Sequence, residues 1–418
     1  MNIIIKSAKI IDSSSPFHNK TQDILIENGK FSKIASKINN DKGYQEVALK
    51  DLYVSVGWFD SSVSFGEPGY EERETILNGL NVAAKSGFTA IALNANSNPL
   101  IDNKSAVEFL VNKAINHAVS LYPIANLTQK AEGVELAELF DMLNSGAIAF
   151  GDYNAGIENA NLMKLALLYA QNFGGLILSF PQNNSLANNG FANEGENATK
   201  LGLKGNPSIA EELQISRDLF ILEYTGGKLH IPTISTEKSV KLISEAKRKG
   251  LDVSCSVSAH HLFMTDNEIE AFNTNCKVKP PLRTLRDVKA LIKGVHNGTI
   301  DMITSDHNPI DIEHKKVEFE NSLDGTIGLE SLFGAVNSVI DLEKTINGLT
   351  NSPRNRFCIK NPTIDINQKA ELTLFTPDGT YFFKESNIIS TSKNSAFIDK
   401  KLKGKAYGIY ANNKLILN

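Results

Sequence analysis

The chain has 418 residues, 41% of them apolar and 22% charged, enough for a large buried core or for one large domain with a smaller companion. Lys and Arg number 43 against 47 Asp and Glu, and the formal charge of -4 excludes a strongly positive field and with it general binding to a nucleic-acid backbone. Cys255, Cys276 and Cys358 are too sparse for a disulfide framework or a structural zinc site, and no apolar run reaches the length of a membrane span, so a reducing cytoplasm is the expected setting.

The opening MNIIIKSAKIIDSSS carries only a short apolar run broken by Lys6 and Lys9, and reads as a strand rather than a signal peptide. Short β-prone runs and an Asn28-Gly29 turn follow, giving a small β-unit over residues 1–54. Residues 351–418 return to that texture, with Glu371 to Phe375, an expected Asp378-Gly379 turn, Tyr381 to Phe383, and Gly404 to Tyr410. Neither end can bury much alone, so the two are expected to form one small β-sandwich domain.

Residues 55–350 alternate apolar strands with helical patterns. Thr89 to Leu93 reads as a strand, followed by a helix with Ser105 and Glu108 as its capping box. Thr236 caps a helix that ends near Gly250, Val253 to Val257 is the next strand, Asp287 to Val295 is helical, and Ile300 to Thr304 is a strand that ends at Ser305-Asp306-His307. The repetition predicts an α/β fold with a parallel sheet, and nearly 300 residues of it fit a TIM-type (β/α)8 barrel better than a small open sheet. Asn183 to Gly205, rich in Asn and Gly, is expected to be a long mobile loop.

In such a barrel the residues just after the strands face the mouth and carry the chemistry. Several of those segments resemble dihydroorotases of the amidohydrolase superfamily. Val56 to Gly69 is similar to the family's strand-one signature. Ala83 to Thr89 with Asn94 to Pro99, Val253 to Leu262, Pro280-Pro281-Leu282-Arg283, Asp306-His307-Asn308-Pro309 and Gly328-Leu329-Glu330 are similar to later landmarks, in order and across about residues 3 to 415.

The resemblance implies a strand-one His-x-His pair on zinc, an Arg that clamps the substrate carboxylate, two further metal histidines, and a strand-eight Asp that binds metal and shuttles a proton. Here the first two positions hold Ser62 and Ser64, the Arg position holds Gly66, and the later histidine positions hold Ser179 and Thr233. A neutral hydroxyl is a poor replacement for imidazole on zinc, and glycine supplies no cation. The strand-eight histidine expected to touch substrate is Ile310, whereas Asp306 and the substrate-contact position Asn96 remain. Asp152 falls near the family's acidic metal-bridging position, with a register uncertain by one residue.

Each retained residue also has a plainer reading. Asp306 can cap the turn after its strand, Asn96 before Pro99 can be turn chemistry, and His230, His260-His261 and His307 can be packed core residues. The leading expectation is a degenerate dihydroorotase-like protein of pyrimidine biosynthesis, catalytically silent and without a cofactor. The resemblance adds a homodimer and a structural or regulatory complex with aspartate carbamoyltransferase. The first alternative is an active cyclic amidohydrolase acting on N-carbamoyl-L-aspartate and dihydroorotate or a hydantoin-like ring. It would use zinc or another divalent metal held by oxygen ligands from Asp60, Asp152 and Asp306. The second alternative is a small-molecule binding protein.

Overall fold

The computed structural model describes residues 1–418. Eight parallel strands follow one another around a barrel in chain order: Trp58–Val63, Phe88–Leu93, Ser120–Ala125, Ala149–Phe150, Leu176–Leu178, Lys228–Ile231, Val253–Ser258 and Met302–Thr304. The ring closes where Val63 bridges His307 in parallel and the Ser64 amide donates to the His307 carbonyl at 2.6 Å. Trp58–Val63, Phe88–Leu93 and Val253–Ser258 are buried along their whole length, as strands covered by helices outside and packed side chains inside must be. The fold is therefore the expected (β/α)8 barrel.

The two chain ends build a second, curled sheet in the order Lys414–Leu417, Lys401–Ala411, Leu372–Phe382, Tyr53–Val56, Ile3–Ile11, Thr21–Glu27, Lys30–Ala35, with Gln45–Val47 beside Ile3–Ile11. Its own apolar cluster includes Ile3, Ile5, Ile24, Phe31, Val54 and Leu374. Where sheet meets barrel, Trp58 lies against Phe333, Phe375 and Phe88 at ring distances of 4.8, 5.4 and 5.8 Å. Buried Arg354 clamps the same joint, donating to the Gly57 carbonyl and Thr89 Oγ1 while it pairs with Glu371.

Three local expectations change in the structure. The helix expected from Ser105 is Lys104–Lys113 and is capped by Asn103, whose side chain accepts from the Ala106 amide. Asp378-Gly379 does not end a strand: Leu372–Phe382 runs through it with an irregular register between Thr376 and Thr380. His260 and His261, read as packed core residues, lie buried on the short helix Ala259–Phe263. Asn183 to Gly205 is structured, with helices Asn184–Ala187 and Glu196–Leu201 and a strand pair Ala192–Asn193 with Gly205–Asn206. Its asparagines hold it down. Arg283 donates to Asn193 Oδ1 at 3.1 Å and to the Asn206 carbonyl at 2.7 Å, and Asn193 donates to Asp266 at 2.8 Å. Composition suggested mobility there because it counts apolar side chains and misses buried amide pairing.

Candidate functional site

Strand alternation places Ser62 and Ser64 on the same side of the first barrel strand and its extension. Asn94, directly after the second strand, donates from one amide nitrogen to both Ser62 Oγ and Ser64 Oγ at 3.1 Å each. Ser62 Oγ in turn donates to Asp306 Oδ1 at 3.1 Å. Asp306 sits just past the eighth strand with a left-handed φ of +48°, its amide donating to Thr304 Oγ1 at 3.3 Å. That turn aims the carboxylate into the mouth rather than at a following helix. Burial above all, and secondarily the charge of Asp60, pushes the Asp306 carboxyl up to about 7 against the hydrogen bonds from Ser62 and Tyr153.

Asp60 faces the seam between the first and eighth strands. It accepts from the Thr304 hydroxyl, the Ser305 amide at 3.0 Å and the Ser62 amide at 3.2 Å. Burial raises its carboxyl to about 6, opposed by these donors. Asp152 turns the other way, accepting from the Leu127 amide at 3.0 Å, the Thr128 amide at 3.2 Å and Thr128 Oγ1 at 2.5 Å. The residue that enters the mouth is its neighbour Tyr153, whose phenol donates to Asp306 Oδ1 at 3.4 Å. Burial and the Asp306 charge raise that phenol well above its ordinary value, so it stays a donor.

Across the barrel Ser179 leaves the mouth. Its hydroxyl donates to Asp218 Oδ2 at 2.5 Å, and Asp218 is also paired with Arg217 at 2.6 Å and bonded by Gln214 at 3.0 Å. Thr233 lines the mouth with φ +48° and donates its amide to Ser256 Oγ at 3.1 Å. The enclosed space that remains, lined by residues including Ser62, Asn94, Tyr153, Phe180, Thr233 and Asp306, measures about 30 Å³. That admits a water molecule, against the roughly 300–1,000 Å³ of a small-ligand pocket.

Gly66 is held closely by its own loop. A Cβ there would stand 1.7 Å from the Tyr70 carbonyl oxygen, so the loop leaves no room for arginine. Ile310 is buried, its amide donating to Asn394 Oδ1 at 3.1 Å. Asn96 lies outside the serine network, and its neighbour Asn94 makes those contacts. The histidines are packed in the core. His230 Nδ1 is 2.8 Å from Ser254 Oγ, His261 Nδ1 is 2.6 Å from Ser258 Oγ, and His307 Nδ1 accepts from the Gly328 amide at 3.2 Å. Burial lowers all three, His261 and His307 to about 4, so they are neutral near pH 7.

The residues present do not fit the zinc that the resemblance implies. Neutral hydroxyls stand at the four ligand positions, and those of Ser62, Ser64 and Ser179 already bond within the protein. Asp60, Asp152 and Asp306 do not converge, and no three His, Cys, Asp or Glu side chains are placed to hold an ion. Asn94 and Tyr153 are the mouth residues that sequence reasoning missed. Asn94 had a signal, standing directly after the strand read at Thr89 to Leu93, and Tyr153 was one register step from the acidic position sought.

Residues 53–239 match the family model described as dihydro-orotase-like. A dihydroorotase of Ruminiclostridium cellulolyticum is 37% identical over 404 residues, 95% of this chain and 94% of the relative. A dihydroorotase of Geotalea daltonii is 33% identical over 422 residues, covering 100% of this chain and 99% of its own. The solved L-hydantoinase (dihydropyrimidinase) from Arthrobacter aurescens superposes with a TM-score of 0.87 at 20% identity over 100% of this chain and 96% of its own, a likeness of fold. Full-length identity at this level, on a barrel whose landmarks fall in the family's order, shows that the chain belongs to the dihydroorotase family.

Proposed function

We propose that this protein is a dihydroorotase-family member that has given up metal-dependent ring opening and closure and acts as a structural or regulatory partner of aspartate carbamoyltransferase. One observation carries the loss of chemistry. The positions that would hold zinc carry hydroxyls, three of them turned to internal partners, around a space of about 30 Å³ with Tyr153 in it. Without a metal to acidify a water, Asp306 has no activated nucleophile from which to take a proton. The partnership with the transferase rests on the family resemblance alone.

Metal analysis of the purified chain and a coupled assay for N-carbamoyl-L-aspartate cyclisation test the first part. The expected result is substoichiometric metal and no turnover, and stoichiometric metal with genuine cyclisation overturns it. Co-purification with aspartate carbamoyltransferase, together with a change in its stability or rate, tests the second part.

A second reading is an active metal-dependent cyclic amidohydrolase, and the comparisons favour it over the first, since the relatives reported above are called dihydroorotases. It requires the Tyr153 segment to move and carboxylates now apart to share an ion. Turnover that depends on added Mn2+ and disappears in Asp306→Ala would establish it.

A further inference from the structure

Away from the mouth, a cleft of about 450 Å³ opens where the barrel meets the terminal sheet, within the ~300–1,000 Å³ of a small-ligand site. Its walls are the end of helix Ile76–Lys85, helix Leu329–Val336 and the strands Leu372–Phe382 and Lys401–Ala411, with Phe333, Tyr381 and Phe383 as its aromatic lining. Four charged side chains line it, Lys85, Lys405, Glu330 and Asp378, and none has an ion-pair partner; the Lys405 ammonium meets only the Tyr407 ring, at 5.4 Å. The charged groove on the opposite flank differs, because its Glu237 is taken by Lys241 and Arg286 and its Glu212 by Lys238. Two hydroxyls of the cleft are also unbonded, those of Tyr381 and of Ser86, which is only 8% exposed. Glu330 Oε1 accepts from the Ile389 and Ser390 amides at 3.3 and 3.0 Å and from the Ser390 hydroxyl at 2.6 Å, whereas its buried Oε2 has no donor. A buried acceptor in that state is stabilised by any N–H that reaches it.

The charges are separated along the cleft. Glu330 stands in the first turn of its helix, and Gly334, about 6 Å further along the axis, packs against Leu402 and Tyr381. Lys85 lies beyond them: Asn418 Nδ2 donates to the Lys85 carbonyl at 2.9 Å and to the Ala406 carbonyl at 3.1 Å, further along the strand that carries Leu402. Lys405 precedes Ala406, so both lysines gather at the end remote from Glu330, on the order of 10 Å from it. We infer that this cleft binds a short free peptide, its C-terminal carboxylate on Lys85 and Lys405 and its N-terminal ammonium at Glu330. An extended chain of about three residues spans ~10 Å, and the Ser86 and Tyr381 hydroxyls are placed to serve its peptide groups. A free amino acid, whose two charges stand within about 4 Å of each other, is too short to reach both ends. Two charges of each sign leave the cleft neutral overall, which suits a zwitterion and not a polyanion such as a nucleotide.

Isothermal titration calorimetry of the full chain with trialanine tests the inference. Saturable binding of one peptide per chain is expected, with alanine inert and ε-aminocaproate, which has both charges but no peptide group, weaker than trialanine. Converting the peptide carboxylate to its amide, or acetylating its ammonium, should each weaken binding about 10-fold or more. In K85M/K405M the amide and the free acid should bind alike, and neither ammonium has an ion pair or hydrogen bond to lose. In E330Q, which keeps an oxygen for Ile389 and Ser390, acetylation should no longer matter. Circular dichroism checks that both variants fold. No saturable heat with trialanine up to about 10 mM overturns the inference, as do blocked peptides that bind as tightly as the free one. So do folded variants that keep the whole preference, or alanine or ε-aminocaproate binding as tightly as trialanine.

Discussion

The two sides of the barrel mouth hold their hydroxyls in opposite ways. On the side of the first and eighth strands, the hydroxyls and carboxylates turn inward and bond to one another: Asn94 to Ser62 and Ser64, Ser62 and Tyr153 to Asp306, and Thr304 to Asp60. On the side of the fifth and sixth strands, Ser179 turns out of the mouth to Asp218, and Thr233 is fixed through its backbone amide. The inward side has become a buried polar seam that closes the barrel, and the outward side has merged with the surrounding helices. One consequence is that an imidazole placed at Ser62 alone would meet a committed hydrogen-bond network.

Four experiments sharpen this contrast. Asp60→Ala strips the acceptor from the Thr304 hydroxyl and the Ser305 and Ser62 amides at the barrel seam. The expected loss is about 3–4 kcal/mol in denaturant unfolding, since buried donors are left without a partner. A loss near zero would remove the seam from the inward side. Tyr153→Ala deletes the ring that fills the mouth and should cost about 2–3 kcal/mol, with a new cavity visible by crystallography.

Asp306→Asn reports on the raised carboxyl. Because burial lifts it from 3.8 to about 7, the folded chain holds a proton between these values that the unfolded chain has released. Its contribution to stability is therefore full below about pH 4 and is lost as pH rises towards 7, by up to about 1.4 kcal/mol per pH unit. The Asn variant should match the wild type near pH 4, gain on it progressively up to pH 7, and stay ahead above that in thermal melts. A gap that does not change with pH would show that Asp306 ionises as an exposed carboxylate does. On the outward side, Ser179→Ala should cost only about 1 kcal/mol, because Asp218 keeps Arg217 and Gln214. A larger loss for Ser179 than for Asp60 would reverse the comparison.

Much of the frame could be read from residues alone. Thr89 to Leu93 and Val253 to Val257 read as strands, Thr236 marked a helix start, and Asp287 to Val295 read as helical. The identities of Ser62, Ser64, Gly66, Ser179, Thr233 and Ile310 were equally visible, because residue identity needs no coordinates. The ordering of 183–206 was not. Its stability comes from Asn193, Asn206 and Arg283, which lie far apart in the chain and carry no periodic signature.

The amino-acid sequence by itself determined the barrel and the pairing of both chain ends, since these follow from local hydrophobic period. Only the tertiary structure decided which side chains meet in the barrel mouth. It brought Tyr153 to Asp306 across 153 positions and joined Ser62 to Asp306 across 244. Contacts between such distant residues depend on strand register and loop path, which no local pattern encodes.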